Sequence, residues 1–323
     1  MSTRPRQILL TGGTGSFGHA FVRRMLREEE PCVVRIYSRD ELKQYEMAQR
    51  FENDPRLRFL IGDVRDRERL ARAMHGADLV VHAAAMKQVP LCEYNPAEAV
   101  KTNVMGAQNV VDCAIDMGVP RTVALSTDKA VNPCNLYGAT KLCAEKIFVQ
   151  GNVYAGPQEI RFACVRYGNV VGSRGSVIPL FRKQAETGVL TVTDTRMTRF
   201  WISLEQAVEL VLFAEERMTG GEIFVPKIPS MRIVDLARAI APDAMCKEIG
   251  IRPGEKLHEM LLTPEETAST REYPTHYVVG GREPQPGGRA VPERFGYSSD
   301  TNTQWLEVDQ LADLVGGLET GLA

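Results

Sequence analysis

From Ser126 to Lys141 the chain places hydroxyls, an acid, an amine and a phenol–amine pair: Thr127-Asp128-Lys129, then Tyr137 and Lys141. Tyr and Lys four apart on a helix share one face. The spacing therefore predicts that the Lys141 charge lowers the Tyr137 phenol and makes it a usable base. The Thr127 hydroxyl can steady a substrate oxygen. Such a set interconverts an alcohol and a ketone. Asp128 and Lys129 add an acid–base pair, which suggests that oxidation is not the whole reaction.

Positioning these groups takes alternating strands and helices. Short apolar runs predict strands at Gln7–Thr11, Val33–Tyr37, Leu57–Ile61, Leu79–Ala83, Arg121–Ser126 and Ala163–Tyr167. Amphipathic stretches between them predict helices at Gly15–Glu29, Arg39–Asn53, Arg65–Met74, Pro96–Met117 and Asn135–Tyr154. This rhythm predicts an α/β fold, a doubly wound parallel sheet with its ligand crevice at the strands' C-terminal ends. After Asn169 the rhythm breaks. Glu205–Arg217 reads as a helix and Glu222–Pro226 as a strand returning to the sheet. The expected division is a nucleotide domain over 1–169, rejoined by 203–228, with 170–202 and 229–323 forming a smaller substrate lobe and C-terminal arm. Arg282–Arg294 reads as a Pro/Gly-rich loop and Thr303–Leu318 as an amphipathic helix.

A length of 323 residues suits one such unit with a second lobe, and a net charge of -2 gives no reason to expect nucleic acid or a membrane surface. The seven Cys include no C-x-x-C pair and the five His no ligand spacing, so no metal site is expected. With no signal-like or membrane-spanning run, the expected compartment is the cytoplasm.

Gly12, Gly15 and Gly18 follow the first strand and open the first helix, with Ser16 and Phe17 between the last two. In that setting Gly12 serves a tight turn, Gly15 a close approach to a pyrophosphate and Gly18 helix–strand packing. The helix N-terminus offers N–H groups to phosphate. At the second strand's end, Ser38, Arg39 and Lys43 point to NADP, whose 2′-phosphate favours a hydroxyl and cations. Asp40 between them reads equally as a helix cap. Asp63 and Val64, after the third strand, either meet the adenine or close a turn.

With the glycine loop present, the Ser-Thr strand end and Tyr137-x-x-x-Lys141 resemble the extended short-chain dehydrogenase/reductase superfamily, which has a Rossmann fold. The resemblance implies that Tyr137 takes an alcohol proton, Lys141 binds the nicotinamide ribose and Thr127 bonds the substrate oxygen. Ala83 and Lys87 would also lie by the cofactor. Within the superfamily, sugar-nucleotide 4,6-dehydratases add an acid and a base directly after the Thr. Most carry Thr-Asp-Glu, whereas here Lys129 holds the base position. Together with Ala84-Ala-Met-Lys-Gln-Val-Pro90, Thr198-Arg-Phe-Trp-Ile202 and Tyr297-Ser-Ser-Asp-Thr-Asn302, the chain resembles the inverting UDP-N-acetylglucosamine dehydratases that open pseudaminic acid biosynthesis. That resemblance implies NADP, UDP-N-acetylglucosamine and a homo-oligomer. It spans about Gln7 to Tyr297 and beyond.

The chemistry also follows from the carbon framework. A C5 proton is hard to remove until C4 is a ketone, so oxidation with Tyr137 as base comes first. Lys129 then takes the C5 proton if its pKa is lowered, and a protonated Asp128 helps the C6 hydroxyl leave. Hydride returns to C6, and the net reaction is loss of water. Lysine's longer stem would let the proton come back to the opposite face of C5. On the substrate side the resemblance implicates Met86, Lys87, Asn169 and Val177. Thr195, Arg199 and Arg252 supply a hydroxyl and cations suited to uridine and pyrophosphate, and each alone reads equally as an ordinary surface residue. Phe200 and Trp201 read as core, and His258 as structural. A 4-epimerase has no use for Asp128-Lys129, a retaining dehydratase keeps Glu there, and a non-catalytic NADP sensor usually loses Tyr137 or Lys141.

Overall fold

The computed structural model describes residues 6–28, 32–172, 177–283 and 285–317. Residues 1–5, the expected end of the first helix at Glu29, and Leu318 lie outside the described residues. The first half holds six parallel strands: β1 (Arg6–Thr11), β2 (Cys32–Ser38), β3 (Leu57–Ile61), β4 (Leu79–His82), β5 (Arg121–Thr127) and β6 (Arg161–Tyr167). They order as β3-β2-β1-β4-β5-β6, the doubly wound arrangement read from the sequence. Ile8, Leu9 and Leu10 of β1 and Leu79, Val80 and Val81 of β4 are fully buried, because helices cover both faces of a parallel sheet. The winding reverses between β1 and β4, which pair in register from Ile8↔Leu79 to Thr11↔His82. A crevice opens there at the strands' C-terminal ends.

Helix starts follow local chemistry. Asp40 accepts from the Lys43 N–H at 3.1 Å, Asp66 from Arg69 at 3.0 Å and Asn135 from Gly138 at 2.8 Å, each satisfying an orphan donor of the first turn. The stretch Pro96–Met117, expected as one helix, is interrupted by a π-helical turn over Lys101–Met105. That turn lets Asn103 bond the Met86 N–H and C=O at 2.8 and 2.9 Å and the Thr140 hydroxyl at 3.0 Å. The loop after β4 is thereby tied to the helix Leu136–Tyr154.

The helix Leu204–Arg217 is closed by a Ser203/Gln206 capping box, and Glu222–Pro226 pairs parallel to β6. The main sheet continues with His276–Gly280, Thr270–Glu272 and Arg289–Ala290, all antiparallel. The sequence reading placed these residues in the smaller lobe; short strands after irregular loops carry too few residues to show a period. Arg289–Ala290 falls within the stretch read as loop, and the expected C-terminal helix runs Val308–Gly317. A second apolar cluster gathers Phe181, Leu190, Trp201, Met231, Leu236 and Leu311 apart from the main core. Phe200 is fully buried in the main core, and His258 bonds Thr198 through Nδ1 at 2.8 Å. No helix among the described residues is long and apolar enough to cross a membrane.

Candidate active site

A cavity of about 1140 Å³ runs from the glycine loop to the second apolar cluster. Gly12, Gly15, Ser16, Phe17, Ser38, Arg39, Asp40, Lys43, Asp63, Val64 and Ala83 line one end. Gly12 has φ +68° and turns the chain so that its N–H reaches the Tyr37 carbonyl at 2.8 Å. Gly18 lies behind the lining, where a Cβ would stand 1.9 Å from the Gly13 oxygen. Gly15 leaves the first helix without a side-chain cap, which suits a phosphate. Asp40 caps its helix and pairs with Lys43 at 3.0 Å, while Arg39 faces Asp63 at 3.6 Å. The buried hydroxyls of Ser126 and Thr102 line the cavity and accept or donate no hydrogen bond within the protein. A bound nucleotide fits these unfilled demands.

At the other end β5 runs into a single 3-10 turn, Asp128–Ala130. Gly138 allows the next helix to sit on that turn, since a Cβ there would meet the Lys129 oxygen at 2.1 Å. Thr127, Lys129, Tyr137 and Lys141 all line the cavity, and Asp128 is fully buried beneath them. Burial pushes the Tyr137 phenol up to about 12, against the pull of the Lys129 charge and a hydrogen bond with Thr127. The cation that lowers the phenol most is thus Lys129 rather than Lys141, which the spacing suggested. Lys141, itself depressed by burial, donates from Nζ to the Leu125 carbonyl at 2.7 Å.

Lys129 departs further from expectation. Its Nζ lies 3.1 Å from Asp128 Oδ1, 3.1 Å from Asn169 Oδ1 and 3.4 Å from Glu259 Oε1. Burial alone would depress the ammonium, but the carboxylates of Asp128 and Glu259 outweigh it and hold the amine protonated, above its ordinary range. Asp128 is raised, chiefly by burial, with Lys129 drawing it partly back. Its Oδ1 accepts from Thr127 at 2.9 Å, while Oδ2 accepts nothing.

Lys87, Asn169, Val177, Arg199 and Arg252 line the cavity, but Met86 and Thr195 do not. Met86 is held by its backbone, and the exposed Thr195 N–H donates to Glu248 at 3.1 Å. Thr193 lines the wall in its place. Burial, with the nearby Lys129 charge, depresses Lys87. Arg199 gives its terminal nitrogens to the carbonyls of Thr198, Leu257 and Lys256 at 2.7 to 3.1 Å. Trp201 belongs to the core as expected, yet it also lines the cavity, and its indole N–H has no partner. Sequence reasoning missed Asn103, Gly138 and above all Glu259. Nothing in Gly254-Glu-Lys-Leu-His-Glu259 distinguishes this carboxylate from the neighbouring Glu255; only the fold carries it to Lys129. Among the described residues no cluster of His, Cys, Asp and Glu could hold a metal.

The profile of the polysaccharide biosynthesis protein family matches residues 8–280. The chain belongs to this family. A relative from Campylobacter jejuni is called UDP-N-acetylglucosamine 4,6-dehydratase (inverting) and is 51% identical over 97% of this chain and 98% of its own. A Rickettsia conorii protein called UDP-glucose 4-epimerase is 42% identical over 96% and 95%. Among solved structures, Pen from Bacillus thuringiensis has a TM-score of 0.91 and 38% identity, covering 99% of both chains. The dTDP-glucose 4,6-dehydratase DesIV of Streptomyces venezuelae, solved with NAD and TYD bound, has a TM-score of 0.68 and 26% identity over 78% of this chain and 86% of its own.

Proposed function

We propose that this chain is an inverting UDP-N-acetylglucosamine 4,6-dehydratase giving UDP-2-acetamido-2,6-dideoxy-β-L-arabino-hex-4-ulose, the first step of pseudaminic acid biosynthesis. The observation that carries the reading is Lys129, set directly after Asp128 at the end of β5 and bonded to Asn169 in the same cavity as Tyr137. The inverting relative from Campylobacter jejuni supports it.

Gly12, Gly15, Ser16, Phe17, Asp63, Val64 and Ala83 would hold a nicotinamide dinucleotide, with Lys141 towards its ribose and Lys87 closing the wall towards the substrate. When bound it would supply the hydride acceptor for C4 and the hydride donor for C6. We take it to be NADP. The Arg39–Asp63 contact at 3.6 Å involves an exposed Arg39 and is worth less than about 1 kcal/mol, so Arg39 exchanges it readily for a 2′-phosphate. Tyr137 takes the C4 hydroxyl proton while Thr127 holds the same oxygen; burial keeps the phenol at about 12, so it would act as this base once the positive charge of an oxidised nicotinamide lies beside it. The ketone then acidifies C5. Asp128, raised by burial, protonates the leaving C6 hydroxyl, and Lys129 handles the C5 proton. Asn169, Val177, Arg199 and Arg252 contact the sugar nucleotide.

The epimerase-named relative keeps a second reading in play. Epimerisation at C4 leaves C5 and C6 untouched and has no use for an ion pair of Asp128 and Lys129 beside Tyr137. Seven free cysteines support a reducing cytoplasm. The exposed apolar side chains of Leu91, Tyr94 and Met105 support a homo-oligomer. Proton NMR of the protein with UDP-N-acetylglucosamine in D2O tests the assignment. A 4-keto-6-deoxy sugar with deuterium at an inverted C5 is expected; the galacto epimer in its place would overturn it.

A further inference from the structure

An ammonium cannot remove a proton from carbon, and Lys129 is held as one. Some neighbour must first take its proton. Asn169 offers only an amide oxygen. Asp128 is fully buried, and in the reading above it must already carry its own proton, on the open Oδ2, for the departing C6 hydroxyl. Glu259 remains. It lines the cavity, is 3% exposed, and places Oε1 3.4 Å from Lys129 Nζ. Its Oε2 is buried and accepts no hydrogen bond.

We infer that Glu259 is the positioning residue that accepts the Lys129 proton when substrate enters, leaving Lys129 as the neutral amine that takes the proton from C5. This rests on the dehydratase reading above. The protons balance. Glu259 carboxylate becomes the acid, and Lys129 regains a proton from C5 and returns one to C5 after hydride reaches C6. Asp128 protonates the departing hydroxyl and is restored, over the cycle, by the proton Tyr137 removed from C4. Glu259 then gives its proton back when product leaves.

The charges facing Glu259 come from three segments: Lys129 on the β5 turn, Arg199 Nε at 3.9 Å, and Lys256 Nζ at 3.6 Å from Oε2. They hold the carboxyl below its ordinary range against the rise that burial alone would cause. An anionic sugar nucleotide that draws on Arg199 and Lys256 rather than on Lys129 takes away two of the three charges that depress this carboxyl, so its hold on a proton strengthens as substrate binds. The position is also rigid. The Glu259 carbonyl accepts from the Ser299 N–H at 2.8 Å and the Glu259 N–H donates to the Ser299 hydroxyl at 2.9 Å, and Arg166, paired with Glu145, anchors the Leu261 carbonyl at 2.9 Å.

Glu259→Gln keeps the shape and removes the proton acceptor. With UDP-N-acetylglucosamine, cofactor reduction should persist in this variant. Product formation and deuterium uptake at C5 should both fall about 100-fold. Glu259→Asp should retain roughly a tenth or more of the unaltered rate. The limb of kcat that falls at low pH, as Glu259 protonates, should be absent from the Gln variant. Product within about threefold of the unaltered protein, loss of cofactor reduction in parallel, or an Asp variant no better than Gln would each overturn the relay. Absence of product from the unaltered protein would instead overturn the dehydratase reading, and the relay with it.

Discussion

The two ends of the cavity are built by opposite means. At the nucleotide end a continuous run, Gly12 to Gly18, presents backbone N–H groups and packs against its own strand and helix. At the chemical end the groups are buried side-chain charges from separated segments: Asp128 and Lys129, Asn169, Arg199, and Lys256 with Glu259. Backbone recognition needs only local geometry, and no titration can switch it off. A charge cluster needs the whole fold, and its protonation state belongs to the group rather than to any member. The first makes a reliable binding site, the second an adjustable reaction centre.

That contrast predicts losses of different kinds. The largest is expected for Tyr137→Phe, which removes the phenolic proton acceptor while leaving the ring to fill its place. Turnover should fall about 1000-fold, with cofactor affinity unchanged in a fluorescence titration. Retained turnover would take the C4 base away from Tyr137. Gly18→Ala should do the reverse. A Cβ 1.9 Å from the Gly13 oxygen forces the loop off its helix at a cost of about 3 kcal/mol. Thermal stability and cofactor affinity should drop together, and full occupancy by cofactor should recover much of the rate. A variant with normal stability would mean that the loop tolerates the displacement.

Acid should also separate the two constructions. His82 ends β4, is 2% exposed, bonds Thr11 at 2.8 Å, and burial lowers its imidazole from 6.5 to about 3. The unfolded chain therefore binds this proton first as pH falls. His82 contributes its full stability above about pH 6.5 and loses it progressively towards about pH 3, by at most about 1.4 kcal/mol per pH unit. Denaturant midpoints measured from about pH 7 to pH 4 should fall on that slope, and His82→Gln should flatten it. An unchanged slope in the variant would assign the acid sensitivity elsewhere.

The same contrast explains what the sequence could disclose. The six parallel strands were legible because each is a short apolar run buried on both faces, and their helices because apolar positions recur along one side. Tyr137 and Lys141 could be brought to the β5 end on paper, since helical spacing and strand order both carry forward. The charge state of Lys129 could not. Asp128 sets it together with Glu259, which is 130 positions further along the chain and reaches the site only when Met260–Leu262 pairs with Tyr297–Ser298. The π turn at Lys101–Met105 was hidden for a related reason. Its residues suit an ordinary helix, and the turn is justified only by what Asn103 reaches across to hold.

The smallest effect should appear at the one part of the nucleotide end that does rely on side chains. Asp40 is committed to its helix cap and to Lys43, which leaves Arg39, with its long 3.6 Å contact to Asp63, as the freer cation for a 2′-phosphate. Arg39→Ala should weaken NADP about tenfold and leave NAD unchanged in calorimetric titrations. Equal weakening of both would mean that Arg39 serves the adenine or its ribose rather than the phosphate. If neither moves, Lys43 must leave Asp40 to meet the phosphate, and the cap at the start of Glu41–Arg50 should loosen when NADP binds.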